Sequence, residues 1–243
     1  MWPNITKNYS PNFSLPIRLK KKIKFIIVHY TGMKKESVAI KRLCSENSDV
    51  SAHYFIKRNG EIINLIPDLY EAWHAGKSSW KKLISLNKNS IGIEIQNQGH
   101  EHKYEKFSLK QISSLKRLLK ILIKSYKINL ANVLGHSDIA PERKKDPGEK
   151  FPWENLAKAK LAKWHDLNEK KIKKERLKKL NQIEEKIFFR NLNFIGYNKI
   201  KELNHNLNKK FLAEAFQRRF RQSLVNGKTD QECLLISKNL IKS

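Results

Sequence analysis

Apolar residues alternate with polar ones, or form short continuous runs, at several places in the first half of the chain. Residues 24–31 are a β-branched apolar run, which predicts a buried strand. Two alternating runs flank Asn59-Gly60 and predict a hairpin at a sheet edge, because Asn-Gly suits a tight hairpin turn. Residues 90–97 alternate again, and residues 132–135 form a last short apolar run. The pattern therefore predicts five short strands.

A helical period replaces this alternation between the strands. Residues 108–126 carry an apolar stripe, and Ser108 with Gln111 forms a capping-box pattern at its start. Residues 36–45 predict a helix after the first strand, and residues 153–164 predict a short closing helix. Short links join these elements, so we expect an α/β fold with a mixed central β-sheet flanked by helices.

The chain beyond residue 166 has a helical pattern. Residues 167–190 are highly charged and contain neither Gly nor Pro, which predicts a helical segment. Further apolar residues could build a small three-helix core: Phe194, Tyr197, Ile200, Leu203, Phe211, Ala215, Phe216 and Phe220. We divide the chain into an N-terminal arm (1–22) that is extended on the domain or mobile, an α/β domain (23–166), a charged helical linker (167–186) and an all-helical domain (187–243).

The composition indicates a folded and strongly basic protein. Hydrophobic residues make up 40% and aromatic residues 9%, which suits a packed core. Lys and Arg number 50 against 23 Asp and Glu, a net charge of +27. Either a polyanionic partner is attracted to this charge, or most lysines lie on solvated faces. No recognised motif accompanies the charge, so no nucleic-acid partner is expected.

Cysteine content and targeting signals restrict the class further. Cys44 and Cys233 lie far apart and outside any CxxC pair, which excludes a cysteine-based zinc site. No apolar run is long enough to predict a transmembrane helix. The first 22 residues contain no apolar signal core, so we expect a cytoplasmic protein. A periplasmic or cell-envelope location is the alternative if a signal peptide was removed.

Candidate chemistry gathers in a Pro- and Gly-rich stretch after the last strand. His136 and Asp146 lie ten residues apart there, with Lys144 two residues before Asp146. His29 ends the first strand, where a histidine is more often a packed core residue than a ligand. Taken together, two imidazoles and one carboxylate would make a three-ligand zinc site with an open fourth position, as in catalytic zinc sites.

A second set of polar residues suggests a cavity nearby. Glu94 shares one side of its strand with Gly92 and Gln96, which are small or polar, so this side predicts a cavity. The polar loop at residues 73–80 carries two Trp and a His, which suit sugar or peptide contacts. Amide hydrolysis needs a general base and stabilisation of an oxyanion, and Glu94 and Lys144 are of the right types.

Five stretches carry a resemblance to a known family: IIVHYT, VSAHYFIKRNGEI, AWHAGKSSW, NSIGIEIQN and LGHSDIAPERKKDPGEKFPW. Residues 22–166 are similar to the zinc-dependent N-acetylmuramoyl-L-alanine amidases of the amidase-2 family, of the AmpD/AmiD type. That family is related to peptidoglycan recognition proteins. The C-terminal part, with IGYN and EAFQRRFRQ, is more weakly similar to a peptidoglycan-binding helical domain.

The resemblance implies a role for each matching residue. It implies zinc on His29, His136 and Asp146. It implies that Glu94 is the catalytic acid/base and that Lys144 steadies the oxyanion. The muropeptide groove would be lined by Tyr30, Trp73, His74, Ala140 and Arg143, with Arg143 suited to a stem-peptide carboxylate. The implied reaction is hydrolysis of the amide between N-acetylmuramic acid, or its 1,6-anhydro form, and L-alanine, in peptidoglycan recycling or turnover.

Several questions stay open at this point. The alternative function is a non-catalytic module that binds muropeptide or peptidoglycan, although the chain keeps all three candidate ligands. The missing signal favours a soluble anhydro-muropeptide substrate, whereas a peptidoglycan-binding domain favours intact sacculi. The insertion-like GHEHKYEKF holds His100 and His102, which could contact substrate but which we expect to be solvated loop residues. The oligomeric state and the role of the C-terminal domain are not predicted.

Overall fold

The computed structural model describes residues 5–200 and 203–242. Its strands are β1 (Ile5–Lys7), β2 (Phe13–Ser14), β3 (Phe25–Tyr30), β4 (Tyr54–Ile56), β5 (Ile62–Asn64), β6 (Glu71–Ala72), β7 (Ser79–Trp80), β8 (Leu83–Ile84), β9 (Ser90–Ile95) and β10 (Val133–Gly135). Its α-helices are α1 (Glu36–Leu43), α2 (Leu109–Tyr126), α3 (His136–Ile139), α4 (Trp153–Lys158), α5 (Glu169–Lys173), α6 (Gln182–Ile195), α7 (His205–Phe220) and α8 (Gln231–Lys242). The predicted mixed sheet with flanking helices is confirmed.

A six-stranded sheet forms the centre, in the order β1-β5-β4-β9-β3-β10. Only the hairpin pair β4–β5 is antiparallel within it. The parallel strands β9, β3 and β10 therefore end at the same edge of the sheet. In this register His29 lies beside Glu94, and Gly135 lies beside Val28 so that His136 follows at the same edge. Candidate residues from three distant segments thus meet at the carboxyl ends of neighbouring strands.

The outer edge of the sheet differs from the sequence prediction. The hairpin turns at Gly60 as predicted, with a φ of +87° that suits glycine. It is not an edge hairpin, because β1 pairs with β5 in parallel and covers its free side. β2 pairs with β6, so the described part of the N-terminal arm belongs to the folded structure. Residues 1–4 of the predicted arm lie outside the described residues.

The two faces of the sheet have different partners. On one face Ile26 and Val28 pack in a cluster with the apolar stripe of α2. On the other face Phe25 and Ile27, which alternate with them along β3, join a cluster with α6, α7 and α8. Phe216 is buried in that shared cluster. The C-terminal helices therefore cover the sheet face to which the side chains of Phe25 and Ile27 point.

Three details of the predictions for residues 153–220 are wrong. Phe194 is 67% exposed and does not belong to the core. The segment 167–190 is not one helix, because a break at Leu177, with a φ of +65°, separates α5 from α6. Asn181 then starts α6 with a capping box. The helix predicted at 153–164 is also shorter, since α4 ends at Lys158.

The predicted domain boundaries stay predictions. The limit between residues 186 and 187 falls inside α6, a continuous helix. Residues 201, 202 and 243 of the predicted helical domain lie outside the described residues. Within the part of the chain that is described, no helix is long and apolar enough to cross a membrane.

The N-terminal cap of α2 offers a test of the local account. The Ser108 hydroxyl accepts from the Gln111 N–H at 3.1 Å, and the Gln111 side chain accepts from the Ser108 N–H at 2.9 Å. We expect Ser108→Ala to lower the free energy of unfolding by about 1 kcal/mol, measured by denaturant titration. Ser113→Ala, at an exposed position of the same helix, is the control and should not destabilise the protein. Equal effects of the two changes would contradict the capping role.

Candidate functional site

Three buried side chains converge at the carboxyl edge of the sheet: His29, His136 and Asp146. Nδ1 of His29 lies 3.0 Å from Nδ1 of His136 and 3.0 Å from Oδ2 of Asp146, and the third distance is 3.1 Å. His29 lies in β3, and His136 is the first residue of α3. Asp146 is held to the same turn because its carbonyl accepts from the Ser137 N–H at 2.8 Å.

A buried chain of hydrogen bonds fixes the tautomer of His29. The Ser90 hydroxyl donates to the Leu86 carbonyl at 2.7 Å, so it accepts from Nε2–H of His74 at 3.0 Å. Nδ1 of His74 is then free to accept from Nε2–H of His29, also at 3.0 Å. Gly92 leaves room for this chain, since a Cβ there would lie 2.4 Å from the His74 ring. His29 therefore turns an unprotonated Nδ1 toward its two neighbours.

His136 has the same tautomer for a simpler reason. Its Nε2 lies 3.1 Å from the carbonyl oxygen of Ala75, which can only accept, and the donor Nη2 of Arg143 is farther away at 3.5 Å, so Nε2 carries the proton. Burial lowers the pKa of His29 to about 4, with a further contribution from His136, so the imidazole of His29 is neutral at pH 7. Two bare nitrogens and a carboxylate oxygen thus face one another at about 3 Å, the donor set of a metal site with hydrogen-bonded ligands.

Glu94 lies beside this triangle and lines the same cavity. Its Oε2 atom is buried and has no hydrogen-bond partner among the described residues. Burial raises the pKa of Glu94 to about 8, and the negative charge of Asp146 adds to this. The nearby ammonium of Lys144 acts in the opposite direction. A carboxyl group with a raised pKa and a free oxygen in a cavity is suited to proton transfer.

A cavity of about 430 Å³ surrounds the triangle and Glu94. Lys144 lines it, as do Tyr30, Trp73 and Arg143 of the predicted groove residues. The Arg143 guanidinium already donates from Nε to the Lys77 carbonyl at 2.9 Å and from Nη2 to the Ala75 carbonyl at 2.5 Å. A substrate carboxylate would therefore meet Arg143 at its remaining N–H groups.

Two of the predicted groove residues are placed differently. His74 borders the cavity, but His29 and Ser90 engage both of its ring nitrogens, so neither is left for a substrate. Ala140 is buried and is not among the residues that line this cavity. Its carbonyl accepts from the backbone N–H groups of Arg143 and Lys144, so it shapes the loop instead.

Sequence reasoning missed His100 as a site residue. It was expected to be solvated, but it is half-buried and lines the cavity. Its Nδ1 lies 2.9 Å from the Tyr30 hydroxyl, and its Nε2 lies 3.0 Å from Oε2 of Glu149. His102 is exposed, as expected. No local signal distinguishes the two histidines, because the contacts of His100 are with residues 49 and 70 positions away.

Sequence reasoning also missed a support from the N-terminal arm. The buried guanidinium of Arg18 donates to the carbonyls of Asn87 and Ser90, both at 2.7 Å. The side-chain oxygen of Asn87 accepts from the backbone N–H groups of His74 and Ala75. Through Asn87, Arg18 therefore supports the backbone of His74 and Ala75. His74 contacts His29, and the carbonyl of Ala75 contacts His136.

Comparisons with known proteins identify the family of this chain. A family model described as N-acetylmuramoyl-L-alanine amidase matches residues 19–149. The amidase AmiD of Escherichia coli K12 is 32% identical over 233 residues, which cover 91% of this chain and 83% of that protein. The 1,6-anhydro-N-acetylmuramyl-L-alanine amidase AmpD of Haemophilus influenzae is 41% identical over 43% of this chain and 55% of its own length.

Solved structures give the same result. The complex of E. coli AmiD with anhydro-N-acetylmuramic acid-L-Ala-D-γ-Glu-L-Lys has a TM-score of 0.80 at 32% identity, covering 91% of this chain and 89% of that one. AmpDh3 of Pseudomonas aeruginosa also has a TM-score of 0.80, at 28% identity and 96% coverage of both chains. The fold is that of an amidase. The chain belongs to the N-acetylmuramoyl-L-alanine amidase (Amidase_2) family.

The tautomers of the three buried histidines can be measured in solution. We expect His29, His74 and His136 of the metal-free protein to carry their proton on Nε2, observed by long-range ¹H–¹⁵N NMR of the imidazoles. Ser90→Ala removes the acceptor of the His74 proton, so His29 and His74 should become mixtures of tautomers. Stability should fall by about 1–3 kcal/mol, because a buried N–H loses its partner.

Ser237→Ala is the matched control for this change. Ser237 is also fully buried, accepts from a side-chain N–H at 3.1 Å and donates to a carbonyl at 2.9 Å, but it lies in α8. The control should lose stability without altering any imidazole signal of the triangle. A single Nδ1–H tautomer at His29 in the unmodified protein would contradict the assignment.

Proposed function

We propose that this protein is a zinc-dependent amidase that cleaves the bond between N-acetylmuramic acid, or its 1,6-anhydro form, and L-alanine of the stem peptide. The observation that carries the proposal is the triangle of His29, His136 and Asp146 with Oε2 of Glu94, which has no partner among the described residues, beside it. Membership of the amidase family supports the reaction.

The residues present fit a zinc ion. Two neutral imidazoles and one carboxylate are the ligand types of catalytic zinc sites. Ligand atoms of a tetrahedral site with bonds of about 2.0 Å lie roughly 3.3 Å apart. The triangle, with sides of 3.0 to 3.1 Å, is close to that size. His29, His136 and Asp146 would hold the ion, which when bound would polarise the amide carbonyl and increase the acidity of water.

The remaining steps belong to side chains of this protein. In its carboxylate form, which a bound cation would favour, Glu94 would accept the proton of the attacking water as the oxygen of that water forms a bond to the carbonyl carbon. The ammonium of Lys144 would stabilise the negative charge that develops on the carbonyl oxygen. Glu94 would then return the proton to the alanine nitrogen as the carbon–nitrogen bond breaks. The products are the free peptide and the lactyl carboxylate of the muramic acid.

The cavity walls would hold the substrate on either side of this bond. Tyr30 and Trp73 offer aromatic surfaces for the sugar or peptide, and Arg143 offers its remaining N–H groups to a carboxylate. We assign His74 to the support of His29 rather than to substrate contact. The structures of AmiD and AmpDh3 with anhydromuramic acid peptides support the anhydro form as substrate. A cytoplasmic location, and peptidoglycan binding by residues 187–243, stay predictions.

The role of Glu94 can be tested with a matched variant. We expect Glu94→Gln to lower kcat by about 10²–10⁴-fold, because the proton acceptor is lost. Zinc content, measured by mass spectrometry of the metal, should stay at the level of the unmodified protein. Glu101→Gln is the control, since Glu101 is exposed and lines the same cavity. Full kcat in Glu94→Gln with zinc bound would contradict the assignment.

The substrate is tested by product analysis. We expect the zinc-loaded protein to release free peptide from 1,6-anhydromuramoyl tripeptide, identified by mass spectrometry. Purified sacculi are tested separately, and release from both would define an amidase that also acts on the wall. No release from either, with zinc bound, would contradict the proposed activity and favour a binding module.

A further inference from the structure

One buried carboxylate next to the metal-ligand triangle receives three hydrogen bonds. Asp138 lies in α3, two residues after His136. Its Oδ2 accepts from the Gly135 N–H at 2.8 Å, which caps the start of α3. The same atom accepts from Nη1 of Arg219 at 2.9 Å, and its Oδ1 accepts from the hydroxyl of Tyr197 at 2.6 Å. Two of these three donors come from the C-terminal helical segment.

Arg219, in α7, is fixed on several sides. Its Nη2 donates to the carbonyl of Val133 at 3.0 Å, in the strand that precedes His136. Its guanidinium also lies 4.1 Å from the ring centre of Trp153, at the start of α4. Arg219 is 2% exposed, so these contacts are shielded from water. Arg219 therefore links β10, through the Val133 carbonyl, to the carboxylate of Asp138 in the turn that follows.

Tyr197 is held just as closely. It follows Gly196, whose φ of +141° ends α6 and favours glycine. A Cβ at Gly196 would lie 2.3 Å from the ring of Trp80, so the backbone packs directly on that indole. The Tyr197 ring then meets Trp80 edge-on, with the centroids 4.8 Å apart. The packing of Gly196 and Tyr197 against Trp80 therefore holds the Tyr197 hydroxyl in position to donate to Asp138.

The turn held in this way positions two of the three ligands. His136 begins α3, and the Ser137 N–H holds the carbonyl of Asp146. Displacing Asp138 would remove the hydrogen bond to the Gly135 N–H that caps α3. The side chains of His136 and Asp146 would then lose their orientation.

We infer that Tyr197 and Arg219 are positioning residues of the metal site. They act through Asp138, and the C-terminal helical segment is by this route a working part of the catalytic unit. The inference rests on the proposed metal role of His136 and Asp146. A segment that served only to bind the cell wall would not need to insert a buried arginine and a buried tyrosine behind a ligand turn.

Tyr197→Phe and Arg219→Lys test the inference in the full chain. The first removes one hydroxyl and keeps the ring, and the second keeps the charge but cannot bond to Asp138 and Val133 together. Zn²⁺ and Co²⁺ affinities are measured by competition with a chelating dye, together with the visible absorption of the Co²⁺ form. Hydrogen exchange of residues 135–140 is measured in the metal-free protein.

Each variant has a control of the same chemistry elsewhere. Tyr126→Phe removes a hydroxyl that donates to Asp68 at 2.7 Å, outside the turn. Arg221→Lys alters a buried arginine paired with Asp230. These changes are expected to lower stability without changing metal affinity or the Co²⁺ spectrum.

We expect both test variants to bind metal about tenfold more weakly, as is typical when a partner behind a ligand is lost. The Co²⁺ spectrum should shift, and exchange of residues 135–140 should be faster than in the controls. Affinities, spectra and exchange equal to those of the controls would overturn the inference. If the unmodified protein binds no metal, the proposed function fails. In that case the inference falls with it. If the unmodified protein does bind metal and both test variants match the controls, only the inference is overturned.

Discussion

The geometry of this site depends on the position of two protons, one on Nε2 of His29 and one on Nε2 of His136. Because Nε2 of His29 and Nε2 of His136 each donate to a buried acceptor, both Nδ1 atoms turn lone pairs toward Asp146. Three acceptor atoms therefore converge at 3.0 to 3.1 Å, an arrangement that a bound cation would stabilise. The hydrogen bonds behind the two imidazoles orient these ligand atoms.

Both ends of the chain contribute to the packing around this site. Arg18 of the N-terminal arm holds the carbonyls of Asn87 and Ser90, and so steadies the loop that supports His29 and His136. Arg219 of α7 holds the turn that begins with His136. Arg18 is 8% exposed and Arg219 is 2% exposed, and each donates to two or more buried carbonyl or carboxylate oxygens. The catalytic edge of the sheet is thus braced by segments that lie outside the predicted 23–166 unit.

Features set by short-range chemistry were predicted well from the sequence. The capping box at Ser108, the hairpin turn at Gly60 and the apolar run of β3 each follow from neighbouring residues. Pairing between distant segments could not be predicted in this way. The parallel pairing of β1 with β5 and the contact of Arg219 with Asp138 depend on how separated pieces pack, and no local pattern marks them.

Contacts between distant residues of the site could not be predicted from local patterns either. The resemblance named His29, His136 and Asp146, which the structure brings together, but not the chain from His29 through His74 to Ser90. From the sequence, a histidine in a polar loop such as His74 is easily taken for a substrate contact. Only the structure shows that both of its ring nitrogens are already hydrogen-bonded. The most direct test of the whole account is anomalous X-ray diffraction from a crystal of the zinc-loaded protein, measured at the zinc edge. The account predicts one peak about 2 Å from Nδ1 of His29, Nδ1 of His136 and Oδ2 of Asp146. A peak elsewhere, or bonding through Nε2 of either histidine, would contradict it.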